Sequence, residues 1–85
     1  MFIVVQHQIS DTGKFWEVIQ ASANQIPAGL KVHSVLPNSD GTKAVCIWEA
    51  PDIKTVTDIV QGSVGQFSKN EFFSVESNNA VGLPH

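Results

Sequence analysis

Side chains able to act as acid, base, nucleophile or metal ligand gather in two stretches. KVHSVLPNSDGTKAVCIWEA, residues 31–50, carries His33, Cys46, Trp48 and Glu49, and FIVVQHQI, residues 2–9, carries His7. Imidazoles change charge near neutral pH and bind transition metals, and beside a carboxylate they can hold an ion or serve as acid and base. Two histidines and a glutamate fall short of a full metal shell and lack the paired-ligand spacing of a structural zinc site. The plainer reading makes both histidines ordinary strand residues and pairs Glu49 with Lys31. Cys46, alone in an apolar strand, reads as a small buried hydrophobe. Trp16 and Trp48 either line a pocket between sheet and helices or fill the core there.

The elements that would position these residues follow from periodicity. Residues 2–9 are β-branched and read as a strand. Ser10 or Asp11 can cap a helix whose apolar stripe is Phe15, Ile19, Ala23 and Ile26, ended by Pro27 and Gly29. Residues 30–36 and 43–50 are the arms of a hairpin around NSDG. Pro51 and Asp52 open a second helix with Ile53, Val56 and Val60 buried, broken at Gly62 and Gly65. NEFFSVE, residues 70–76, is a last strand, in which Phe72 and Phe73 face opposite sides. Residues 78–85 form a tail with the composition of a surface arm.

The order β-α-β-β-α-β defines one ferredoxin-like α+β domain over residues 1–85: a four-stranded antiparallel sheet of order 4-1-3-2 with both helices on one face. That order is expected to bring His7, His33, Trp48 and Glu49 to one end of the sheet. His7 shares its parity with Ile3, Val5 and Ile9, which look core-facing, so it and His33 can share an edge without sharing a surface.

Hairpin register decides the rest. A two-residue Asp40-Gly41 turn pairs Val35 with Cys46. A type I turn through Ser39, Asp40 and a left-handed Gly41 pairs Asn38 with Thr42 instead, hence Ser34 with Cys46 and Lys31 with Glu49. The second is favoured, because Asn and Gly suit its first and last positions and it sets opposite charges across the strands. It turns Leu36, Ala44, Cys46 and Trp48 toward the helices, and His33, Val35, Val45, Ile47 and Glu49 toward the bare side. An apolar patch of Val35, Val45 and Ile47 calls for a cover, and a second copy of the chain is the commonest one.

Composition narrows the partners. A chain of 85 residues buries only about 60 to 65% of its unfolded surface, which favours self-association. Net charge −3, with five Lys and Arg in all, argues against nucleic acid and anionic membranes. One cysteine and an N-terminal stretch without the features of a secretory signal point to a cytoplasmic protein. No phosphate loop or nucleophile elbow is present.

KAVCIWEAPDIKTV, residues 43–56, resembles the strand-to-helix passage of small proteins of the dimeric α/β-barrel superfamily, in particular a family of uncharacterised and nickel-responsive ferredoxin-like proteins. VVQH near the start is similar to a strand-one histidine of that family. The resemblance implies a dimeric α/β barrel and a transition metal such as nickel, bound through His7 and neighbouring carboxylates. Where metal-binding members carry further histidines, this chain reads QGSVGQF. The leading expectation is a non-enzymatic homodimer that binds a small molecule or metal through His7, His33, Trp48 and Glu49. The rivals are a cofactor-independent oxygenase or isomerase using a histidine base, and a purely structural interaction module.

Overall fold

Strict alternation organises the first strand, β1 (Phe2–Ile9), whose Ile3, Val5, His7 and Ile9 are buried. The computed structural model describes residues 1–22, 25–76 and 78–82, and β1 is followed by α1 (Thr12–Ser22), β2 (Lys31–Pro37), β3 (Lys43–Glu49), α2 (Ile53–Val64) and β4 (Ser68–Ser74). The sheet runs β2-β3-β1-β4 with every neighbouring pair antiparallel. This is the expected ferredoxin-like α+β architecture.

Both helices lay apolar stripes on the same face. Phe15 of α1 and Val56, Val60 and Val64 of α2 join Ile3, Val5, Cys46 and Trp48 in one core. Asp11 starts α1 by accepting the Lys14 amide at 3.0 Å, and Asp52 caps α2 by accepting the Thr55 amide at 2.8 Å. α1 is described as far as Ser22, and the backbone from Gln25 to Pro27 is not helical, so the helix falls short of the expected Pro27 boundary. Ala23 of the predicted stripe lies outside the described residues, while Ile26 packs on the core from non-helical backbone. Gly62 does not break α2. It sits inside the helix between Val60 and Val64, whose burial outweighs a glycine cost of about 1 kcal/mol, and the helix stops at Gly65.

The hairpin combines the two competing registers. Gly41 is left-handed, with φ 75°, and its amide reaches the Asn38 carbonyl, as the type I turn requires. Thr42, however, does not pair with Asn38. The Asp40 carboxylate takes its amide and hydroxyl, and its carbonyl accepts from Ile9 of β1. Asn38 therefore pairs with Lys43, which sets Val35 opposite Cys46 and Leu36 opposite Val45. A bulge at His33 absorbs one residue, and below it Lys31 returns to Glu49 and Val32 to Trp48.

Faces are corrected accordingly, since a one-residue slip reverses a strand's sides. Val35, expected on the bare side, packs toward the helices. Leu36, expected inside, is 57% exposed on the bare side. Val45 and Ile47 stay on the bare side with Phe2, Val4 and Phe73. Phe72 packs on the core, as the alternation of the pair anticipates. Among the described residues, no helix is long and apolar enough to cross a membrane. Of the tail, residues 83–85 lie outside the described residues, and Val81 is fully exposed.

Candidate functional site

Antiparallel pairing of β1 with β3 separates the four candidate residues. Phe2 stands opposite Glu49 and Ile3 opposite Trp48, whereas His7 stands opposite Ala44. His7 is thus five positions along β1 from the Glu49 level, roughly 16 Å away. The expected gathering at one end is overturned, because the end of β1 meets the start of β3 and not its end. His33 and Glu49 do meet: Nε2 lies 2.9 Å from Oε1 on the bare side, with the Phe2 ring 5.5 Å from the imidazole. The His33 hydrogen bond holds the Glu49 carboxyl below its usual range, with smaller help from Lys31.

His7 and Trp48 face the helices instead, and both line a cavity of about 240 Å³ between sheet and helices. Its walls are mostly aliphatic, with Ile19 and Ile26 on one side, Ile59 and Val60 of α2 on the other, and Val32 and Val35 of β2 at the edge. The bulge at His33 is what lets Val32 and Val35, three residues apart, both point inward. Half-buried Ser22 and Ser63 lie at the margin.

Polar groups in this cavity are few. Trp48 is 6% exposed, and its indole Nε1 is buried with no hydrogen-bond partner among the described residues. Trp16, by contrast, donates to the Gly41 carbonyl at 3.1 Å and serves to clamp the hairpin tip to α1. His7 is 3% exposed, with Nδ1 2.5 Å from Asn70 Oδ1 and Nε2 3.1 Å from Cys46 Sγ. Burial pulls the His7 pKa below 6.5 against the opposing effect of the Asn70 bond, and burial pushes the Cys46 thiol up to about 12. At neutral pH, imidazole and thiol are both uncharged. His7 spends both ring nitrogens in this way, and among the described residues no three His, Cys, Asp or Glu side chains converge to hold a metal ion.

Asn70 is the site residue that sequence reasoning misses. It pairs with His7 across β1 and β4 and donates its own amide to Gln61 of α2 at 2.9 Å. A signal exists, because Asn70 shares the parity of core-facing Phe72 and so puts a polar side chain where an apolar one is expected. No protein-family model, curated protein or solved structure matches the chain.

Proposed function

We propose that this protein binds a small, mostly apolar molecule carrying one hydrogen-bond acceptor, such as a ketone, in the cavity beneath its helices, and that it works as a homodimer closed across the bare side of the sheet. The observation that carries the reading is the aliphatic cavity lined by Trp48, whose indole N–H is buried and has no hydrogen-bond partner among the described residues. An unsatisfied buried donor costs about 1 to 3 kcal/mol, which a ligand carbonyl would recover on binding. Size agrees: an apolar cavity of about 150 Å³ admits benzene, so 240 Å³ suits a ring with a short side chain. His7 and Trp48 are the ligand-binding residues on this reading, and His33 and Glu49 belong to the dimer face.

Titration with a series of small ketones from cyclohexanone to benzylacetone, followed by the indole N–H resonances, tests the proposal. The Trp48 signal is expected to shift saturably while that of Trp16, already bonded to Gly41, stays put. A Trp48 signal unmoved by the whole series would overturn the reading. An enzyme with His7 as base is the second reading, and the specific observation in its favour is the hydrogen bond between His7 Nδ1 and the Asn70 side-chain oxygen, which fixes the ring.

A further inference from the structure

Ligand binding alone accounts for the cavity and the Trp48 donor, and leaves unexplained Cys46, Asn70 and the hydrogen bonds that join both to His7. Their hydrogen bonds define a direction. Asn70 Nδ2 donates to Gln61 Oε1, so the Asn70 oxygen faces His7 and the proton of the ring resides on Nδ1. Nε2 of the neutral ring then presents a lone pair to Cys46 Sγ at 3.1 Å, and the thiol donates to it. Nucleophile, base and orienting group stand in that order.

The pair rests uncharged, as a serine and histidine would, and the thiol loses its proton only as it attacks. Around it, α1 contributes Ile19 and the Phe15 ring edge-on to His7, α2 contributes Ile59 and Ser63, and β4 the uncharged Asn70. His7 and Cys46 are the only titratable side chains lining the cavity among the described residues. Trp48 lies two positions from Cys46 on the same face of β3, with Cα atoms roughly 6.6 Å apart. An acceptor oxygen held by the indole N–H would have its nearby carbons beside the sulfur.

We infer that Cys46 is a nucleophile toward small α,β-unsaturated ketones, with His7 moving the proton, Asn70 positioning His7 and Trp48 holding the carbonyl oxygen; this rests on the proposed binding of a carbonyl compound in the cavity. In the step, a bond forms between Cys46 Sγ and the β-carbon, and the π pair of the C=C bond passes to an enolate whose oxygen accepts from Trp48. The thiol proton goes to His7 Nε2 and from there to the α-carbon. The product is a saturated thioether ketone, balanced without oxidant, reductant or second reactant, and the reverse sequence releases the enone.

Intact mass spectrometry with benzylideneacetone tests the addition, and its saturated analogue benzylacetone, followed by the Trp48 indole signal, tests binding separately. One adduct per chain is expected, absent in Cys46→Ser, at a rate nearly constant from about pH 7 to about pH 9, because the His7 ring is already neutral and the thiol still protonated across that range. His7→Gln is expected to react about a hundredfold more slowly at pH 7, with a rate that climbs as thiolate forms. Should that variant not fold, Asn70→Ala, at a half-buried position, is expected to slow addition in the folded protein. Benzylacetone binding without any adduct, or a wild-type rate rising tenfold per pH unit, would overturn the inference and leave the binding proposal standing. Neither binding nor adduct would overturn both.

Discussion

His7 is a neutral imidazole sealed into the core, and that ties stability to pH in a stated direction. Burial lowers its pKa below the 6.5 of the unfolded chain. Above 6.5 the ring is neutral in both states and costs nothing. As pH falls below 6.5, the unfolded chain takes up a proton that the folded one refuses, so stability declines down to the folded pKa. Glu49 and Asp52, held below their ordinary 4.5 and 3.8, lose their contributions only in more acidic solution. Urea midpoints measured between pH 7 and pH 5 are therefore expected to fall, and to fall less in His7→Gln. Equal slopes in the two proteins would count against a buried neutral ring. Cys46 as a buried thiol is readable from its apolar neighbours and parity. Its contact with His7 is not, because that contact depends on how β1 aligns with β3, and neither strand encodes this locally.

The hairpin from β2 to β3 shows where element-level reading succeeds and stops. NSDG specifies its turn type and the left-handed Gly41 through local chemistry. The closing pair is decided from outside, by Ile9 of β1 holding the Thr42 carbonyl, and the bulge at His33 then restores the charge pairing of Lys31 with Glu49. Two readings that exclude each other in a regular hairpin are each correct on one side of the bulge. Gly41 bears the strain of this arrangement: a Cβ there would sit 3.2 Å from Trp16 Nε1, on backbone that L residues avoid. Gly41→Ala is expected to cost about 1 to 2 kcal/mol by chemical denaturation. It should also perturb the Trp16 indole signal and leave that of Trp48 in place. An unchanged midpoint would mean that the turn relaxes into another form.

At the scale of the molecule, the sheet has one face under helices and one that no element covers among the described residues. Phe2, Val4, Leu36, Val45, Ile47 and Phe73 give the uncovered face its apolar centre, with Leu36 57% and Phe73 47% exposed. Lys31 and Glu49 stand at one end, and Lys43, Lys69 and Glu71 toward the other. Element order and parity make this face legible from the sequence. Its membership shifts by a residue, Leu36 replacing Val35, because the bulge lies beyond what pattern can locate. A twofold axis through the centre would set Ile47 near its own copy and put the charged ends at the rim, where they stay hydrated. Replacing Ile47 with Lys would then place unpaired cations in a desolvated interface, at a cost of several kcal/mol per buried charge, while in a lone chain the side chain would simply reach water. Light scattering at micromolar concentration is expected to give twice the chain mass for the wild type and the single-chain mass for Ile47→Lys, with the far-ultraviolet spectrum unchanged. A monomeric wild type would refute the dimer, and an unchanged mass for the variant would move the interface off this face.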